Sequence, residues 1–127
     1  MDNINKYQPT EAELEILQIL WQKQPASVKV IHEILSQKKT VSYTTVLTQV
    51  QRLYDKKEIL SRTKEGKTYL YRVLVDEDQV QDNLVKRLVT GAFRGSSMDM
   101  VLHALGQEKA SLEDIEALEA WLEAQKK

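Results

Sequence analysis

The sequence predicts a mainly α-helical fold class with one small β-hairpin. Through most of the 127 residues, apolar side chains recur every three or four positions, the period of helices that bury one face. The period changes to two around residues 59–73, where β-branched and aromatic residues flank the tight-turn pair Glu65-Gly66. The chain is long enough for one small core with a helical appendage.

Three helices are expected before the hairpin, each with its own start signal. Thr10-Glu11-Ala12-Glu13 forms a capping box, in which a hydroxyl and a carboxylate satisfy free backbone N–H groups. Ser27 and Ser42 supply capping hydroxyls for the next two helices. The expected ranges are about 11–23, 28–36 and 43–56.

The hairpin is predicted from two short runs around the turn. Strands are expected at about 59–64 and 67–73. In the second strand, Tyr69, Tyr71 and Val73 alternate with other residues and should share one face of the sheet.

Three further helices are expected after the hairpin. Asp76-Glu77-Asp78 opens the fourth with acidic residues, where the helix dipole favours them. Ser97 and Ser111 mark the starts of the fifth and sixth helices. Gly106 marks the expected end of the fifth.

Three helices followed by a hairpin is the layout of a winged helix-turn-helix domain. In that layout the third helix enters the DNA major groove and the hairpin forms the wing. We therefore expect a winged-helix DNA-binding domain over residues 1–75. Residues 76–127 are expected to form a three-helix C-terminal dimerisation segment.

The charge of the chain is unevenly distributed along its length. The net charge is −1, but residues 1–75 hold 12 Lys/Arg and 8 Asp/Glu, a net +4. Residues 76–127 hold 6 Lys/Arg and 11 Asp/Glu, a net −5. A basic region within an acidic chain indicates a module that faces a polyanion, joined to a segment with another role.

The third helix and the hairpin tip carry the residue types that contact DNA. Opposite its apolar stripe of Val46, Val50 and Leu53, the helix offers hydroxyl, amide and guanidinium groups. Arg suits guanine, Gln suits adenine, and Lys and Thr suit phosphate. The alternative is a winged-helix protein-interaction module without specific DNA readout. The predicted DNA-binding residues are Lys39, Ser42, Tyr43, Thr44, Thr45, Thr48, Gln49, Arg52, Lys64 and Lys67.

The last three helices have apolar stripes that a segment of this size cannot easily bury by itself. A second copy of the chain would cover them, so we expect a homodimer. The alternative is that these helices fold back onto the winged helix in a monomer. The predicted dimer-interface residues are Leu84, Leu88, Met98, Val101, Leu102, Leu105, Leu118, Trp121 and Leu122.

Other kinds of site find little support. The absence of cysteine excludes disulfides and thiolate chemistry. His32 and His103 are the two histidines; His32 is expected at the surface and His103 in packing, so we predict no metal and no cofactor. No phosphate loop or nucleophile motif is present, and we expect no enzyme. No signal peptide or membrane span is visible, so a cytoplasmic protein without membrane insertion is expected.

Several of these motifs resemble those of one known family. The segment from Pro9 to Trp21 resembles the opening helix of the BlaI/MecI/CopY (penicillinase repressor) family of winged-helix transcriptional repressors. Thr45-Val46-Leu47-Thr48 and the wing from Lys64 to Tyr71 are similar to the same family, and so are Met100-Val101-Leu102 and the closing helix. The resemblance covers about residues 8–125.

The resemblance implies a homodimeric repressor that binds a palindromic double-stranded DNA operator with TACA/TGTA half-sites. Thr44, Thr45, Thr48 and Arg52 match its recognition-helix positions. In several members a membrane-bound metallopeptidase sensor triggers cleavage near the fifth helix, which implies such a partner here.

Three positions depart from the family pattern. The cleavage-site Asn-Phe pair aligns with His103-Ala104, which marks these residues as the candidate cleavage region. The cysteine motif of the copper-responsive relatives is missing, which excludes that kind of sensing. The glycine common after Lys56-Lys57 is Glu58, where a positive φ would be strained and a different turn is expected.

Overall fold

The computed structural model describes residues 6–107 and 110–127 and contains the expected order of elements. Three helices precede a two-stranded antiparallel sheet, and three helices follow it. Residues cluster by contact into an N-terminal unit, Met1–Leu84, and a C-terminal unit, Val85–Lys127. The elements are α1 (Glu11–Lys23), α2 (Val28–Ser36), α3 (Tyr43–Asp55), β1 (Leu60–Glu65), β2 (Thr68–Val73), α4 (Glu77–Ala92), α5 (Ser97–Gln107) and α6 (Leu112–Gln125).

The start signals predicted for the first three helices are confirmed as caps. Thr10 and Glu13 form the capping box of α1, with Thr10 Oγ1 accepting from the Glu13 amide at 3.2 Å. Ser27 and Ser42 cap α2 and α3, each accepting from the backbone amide three residues on. Such caps each stabilise a helix by about 1 kcal/mol, so they define where each helix begins.

The core of the N-terminal unit joins α1, α2 and α3 to the base of the hairpin. Ile16, Leu20, Ile31 and Leu53 are each fully buried in it. Tyr71 of β2 is also buried, and its backbone pairs with Ala26 in the turn before α2. This pairing attaches the wing to the helices.

The hairpin has a tight two-residue turn, one residue later than the predicted pair Glu65-Gly66. Leu60 pairs with Val73 at one end and Glu65 with Thr68 at the other, which leaves Gly66 and Lys67 as the loop. Gly66 has a φ of 65°, a left-handed conformation that glycine adopts without steric cost.

The chain passes from α3 into the wing through Glu58, where the expectation of a different turn is wrong. Glu58 itself adopts a φ of 57°, the left-handed conformation that the family's glycine would take. The Ile59 amide donates to the Leu53 carbonyl at 3.0 Å, and the Ile59 and Leu60 side chains are both buried at the start of β1. Burial of Ile59 and Leu60 determines the direction in which the chain leaves α3. Glu58 therefore adopts a strained left-handed backbone conformation.

The first half of α4 packs on the N-terminal unit, so the contact boundary lies inside this helix. Val80 is 1% exposed, and Leu84 packs against the same core. The functional division at residues 75 and 76 stays a prediction, whereas the contact boundary falls between Leu84 and Val85.

In the C-terminal unit, a left-handed Gly95 with a φ of 86° separates α4 from α5. The fifth helix was expected to end at Leu105, before Gly106, and this end is wrong by two residues: α5 includes Gly106 and ends at Gln107. Within α5 and α6, all of whose residues the structure describes, no side chain is buried.

Candidate nucleic-acid interface

Helix α3 turns its polar residues outward because its apolar stripe is buried. Val46, Val50 and Leu53 are each 0% exposed. Successive residues are rotated by about 100° around a helix, so the positions opposite this stripe face away from the core. The exposed residues on this outer face are Thr44, Thr45, Thr48 and Arg52.

Gln49 lies at the margin of this outer face, although the sequence analysis placed it among the outward residues. Its side chain is half-buried, because it follows Val46 by three positions and precedes Leu53 by four. Both spacings bring it next to the apolar stripe. Its contact with a base stays a prediction, and Arg52 has the less obstructed position.

Two interactions hold the segment that leads into α3. The Ser42 hydroxyl accepts from the Thr45 amide at 3.1 Å and donates to the Thr45 hydroxyl at 2.9 Å. A ring nitrogen of His32 lies 2.8 Å from the Val41 carbonyl oxygen. The His32 ring packs edge-on against the exposed ring of Tyr43, with 5.8 Å between the ring centroids. His32 is therefore half-buried between α2 and α3, and its predicted surface position is wrong. The helical period alone did not reveal this link.

The wing places exposed cations at its tip. Lys64 and Lys67 flank Gly66, and both side chains are exposed. The Lys64 ammonium lies 5.7 Å from the centroid of the Tyr69 ring, within the range of a cation–π contact. The hairpin therefore carries two of the predicted DNA-binding residues at its exposed end.

Lys39 differs from the other predicted cations because it already has a partner. Its ammonium forms an ion pair with Glu15 of α1 at 3.0 Å, and both side chains are partly exposed. An exposed pair of this kind contributes little stability, so Lys39 can exchange Glu15 for another anion at low cost. Its binding to DNA stays a prediction.

A cluster around Arg62 was missed by the sequence analysis. The guanidinium carbon of Arg62 lies 4.1 Å from the ring centroid of Tyr54 and 3.9 Å from that of Tyr69. Interaction with the side chain of Tyr71, which lies opposite on the hairpin, raises the pKa of the Arg62 guanidinium above its ordinary value. The sequence did contain a signal for this cluster. The two-residue alternation of the predicted strands places Arg62 opposite Tyr71 across the hairpin.

The C-terminal unit exposes most of the residues predicted for the dimer interface. Leu102 and Trp121 are each 58% exposed, and Met98 is 62% exposed. Val101 is half-buried, and Leu84 packs on the N-terminal core instead of lying free. The exposed members of the predicted set are Leu88, Met98, Leu102, Leu105, Leu118, Trp121 and Leu122.

The predicted cleavage region lies inside a helix. His103 and Ala104 belong to α5, and both are exposed. A ring nitrogen of His103 lies 2.9 Å from the Asp99 carbonyl oxygen, and its ring packs at 5.2 Å from that of Phe93. His103 was predicted to be a packing residue, and its ring contact with Phe93 is of that kind.

Two kinds of feature are absent from the part of the chain that the structure describes. Across residues 6–107 and 110–127, no helix is both long and apolar enough to cross a membrane. In the same part of the chain, no three His, Asp or Glu side chains are grouped so that they could hold a metal ion.

Three helices, an exposed polar third helix and a basic two-stranded wing together define a winged-helix domain. A profile of the penicillinase repressor family matches residues 9–124. The chain belongs to this family, whose members are transcriptional repressors and not enzymes.

Individual relatives agree with this assignment. The methicillin resistance regulatory protein MecI of Staphylococcus aureus (strain N315) is 33% identical over 118 residues, 93% of this chain and 94% of its own. The penicillinase repressor of Bacillus licheniformis is 29% identical over 94% of this chain and 92% of its own. The solution structure of the DNA-binding domain of the repressor BlaI matches with a TM-score of 0.51 and 32% identity, over 57% of this chain and 87% of that one.

Proposed function

We propose that this protein represses transcription by binding a palindromic DNA operator as a homodimer. The observation that carries the proposal is the exposed face of α3, with Thr44, Thr48 and Arg52 turned away from a fully buried stripe. A helix of this width fits the major groove, where side chains reach the base edges. The wing cations lie on the same domain and supply contacts to the phosphate backbone.

Each residue has a role that follows from its chemistry. Arg52 donates to guanine O6 and N7, since a planar guanidinium matches these two acceptors. The threonines offer methyl groups to thymine and hydroxyls to phosphate. Lys64 and Lys67 neutralise phosphates, and Lys39 joins them when it exchanges Glu15 for the DNA backbone.

A binding selection from randomised duplexes, followed by footprinting, tests the proposal. We expect a palindrome whose half-sites are about 10 base pairs apart or a multiple of that, as two-fold symmetric helix-turn-helix dimers require. Arg52→Ala should weaken binding to the selected duplex by about 1–3 kcal/mol and relax the preference at one base pair of each half-site. The matched control is Lys126→Ala, which removes the same charge from the exposed C-terminus of the chain.

The proposal fails if the selection returns no preferred sequence, or if Arg52→Ala behaves like Lys126→Ala. The variant Lys64→Glu/Lys67→Glu separates DNA binding from a protein-interaction role. Charge reversal should abolish duplex binding, because both cations lie next to the phosphates in the proposed complex. Retained duplex binding would contradict the assigned role of the wing.

The dimer is proposed from the apolar side chains that α5 and α6 leave exposed. Scattered exposed apolar residues are normal, but a stripe along one helix face indicates a partner surface. Along α6, Ile115, Leu118 and Leu122 lie at three- and four-residue spacings, and each is exposed. A second copy of the chain would bury them, and two recognition helices would then face two half-sites.

Solution mass measured by light scattering tests the dimer. The wild type should be dimeric at micromolar concentration, and Leu102→Asp or Trp121→Asp should be monomeric, because a charge would be buried without a partner. Ala120→Asp is the matched control, since residue 120 lies on the opposite side of α6 from Leu118 and Leu122. A monomeric wild type would refute the interface.

Relief of repression is proposed to follow cleavage at His103-Ala104 by a membrane-bound metallopeptidase sensor, with the repressor itself in the cytoplasm. Both residues are helical, so α5 must open locally before a protease can bind the backbone. Cleavage would separate α6 from the N-terminal unit along the chain. Mass spectrometry of the repressor from induced cells should find a fragment ending at His103, and induction of an intact chain would contradict the proposal.

A further inference from the structure

A groove of about 400 Å³ runs between the wing, α3 and the first turn of α2. Its walls include the cations Lys29, Arg62 and Lys67. No carboxylate occurs among the described residues that line it. The groove therefore has a positive local charge although the whole chain is slightly acidic, and an anion is the ligand that this charge favours.

The groove lies next to the outer face of α3. The side of α3 that lines it is formed by Tyr43, Leu47 and Gln51, spaced four residues apart. One position further along the helix, Thr44 and Thr48 belong to the outer face. A duplex held against that face therefore brings its backbone towards the groove, because phosphates flank the major groove on both sides.

Arg62 is held in a defined orientation at this place. Its contacts over the rings of Tyr54 and Tyr69 position the guanidinium without using its N–H groups. A guanidinium has five N–H donors in a planar fork, which matches the paired oxygens of a phosphate. Because the ring contacts already fix the Arg62 side chain, it loses little conformational freedom on binding.

We propose that this groove binds one phosphate of the DNA backbone in each protomer, with the stacked guanidinium of Arg62 as the principal donor and Lys29 as a second cation. The site adds to the wing-tip contacts, and Arg62 and Lys29 are not among the residues predicted from the sequence. The proposal rests on the proposed DNA-binding function.

The salt dependence of duplex binding tests the site. Removing one phosphate contact should lower the log–log slope of affinity against salt by about 0.9 per protomer. We expect this decrease for Arg62→Gln in the full chain, with a weaker affinity at every salt concentration. Arg72→Gln is the matched control, because Arg72 is exposed on the same hairpin and neighbours Tyr71, so it lies on the other face of the sheet. Its slope should equal that of the wild type.

Duplexes with single neutral methylphosphonate substitutions identify the phosphate and do not depend on Arg62→Gln being folded. One substitution per half-site should weaken the wild type and Arg72→Gln but have a smaller effect on Lys29→Gln, which leaves the tyrosine cluster intact. Inorganic phosphate at the concentration of the competing salt should compete no better than that salt, since the proposed ligand is a backbone phosphate and not a free anion.

The possible outcomes separate this inference from the function on which it rests. If the wild type binds no duplex, the proposed function fails. If the wild type binds but Arg62→Gln has the slope of Arg72→Gln, or no methylphosphonate has a smaller effect on Lys29→Gln than on the wild type, the phosphate site is refuted and operator binding stands.

Discussion

Replacing Glu58 by glycine should stabilise the N-terminal unit, although it removes a charged side chain. Glu58 has a φ of 57°, where a side chain beyond glycine costs about 1–2 kcal/mol. Glycine loses more backbone freedom on folding, which offsets about 0.5–1 kcal/mol of this gain. Because Glu58 is exposed, its removal costs no packing. The expected increase in unfolding free energy from the backbone alone is about 0.5–1 kcal/mol.

Urea unfolding followed by the fluorescence of Trp21 measures this effect. Trp21 is half-buried, and its indole N–H donates to the Val75 carbonyl at 3.2 Å, so its emission reports the N-terminal unit. All variants should carry Trp121→Phe to remove the second tryptophan. They should also be compared at one protein concentration, because dimerisation is linked to stability.

Glu58→Ala separates the backbone effect from the charge. Both variants remove a carboxylate near the C-terminus of α3. A negative charge at an exposed helix C-terminus is unfavourable by about 0.3–1 kcal/mol, so both variants gain this amount. Only Glu58→Gly also relieves the left-handed strain. If Glu58→Gly is no more stable than Glu58→Ala, the strain assigned to this residue is absent and the reasoning is wrong.

Three further predictions concern the same unit. Ser42→Ala should lower the unfolding free energy by about 1 kcal/mol, because the cap on the Thr45 amide is lost, and chemical denaturation checks it. Leu53→Ala should cost about 2–5 kcal/mol, since Leu53 is fully buried; a loss below 1 kcal/mol in the same assay would contradict its core position. Tyr7 donates to Glu13 at 2.9 Å, and partial burial, followed by this hydrogen bond, raises its pKa above the ordinary value of 10.0. The unfolded chain therefore releases the Tyr7 proton first, so stability should fall as pH rises above about 10. Denaturation from pH 8 to 11 should show a shallower fall for Tyr7→Phe, and equal slopes would refute the assignment.

Much of the fold could be predicted because the signals for it are local. Capping boxes, helical periods and the turn at Gly66 act within a few residues, so the structure confirms the order of helices and strands and moves their ends by one or two residues. The buried stripe of α3 was predicted in the same way. The outer face of α3 lies opposite Val46, Val50 and Leu53. Once this stripe was recognised, most of the candidate DNA-binding residues could be predicted from the one helix.

Contacts between distant residues were decided by the tertiary structure. Nothing in the sequence near Lys39 indicates that Glu15, 24 positions earlier, is its partner. In the same way, His32 contacts the Val41 carbonyl before α3, and Arg62 contacts the ring of Tyr54. Both contacts form because the helices and the wing pack against one core.

The sequence by itself determined the kind of protein: a helical chain with a basic wing and a polar third helix, similar to a family of repressors. The tertiary structure decided that Lys39 is paired with Glu15 and that Arg62 is stacked on aromatic rings. It also showed that Glu58 takes the left-handed turn that glycine would favour. The physical reason is that burial of Ile59 and Leu60 outweighs the local preference of one exposed residue.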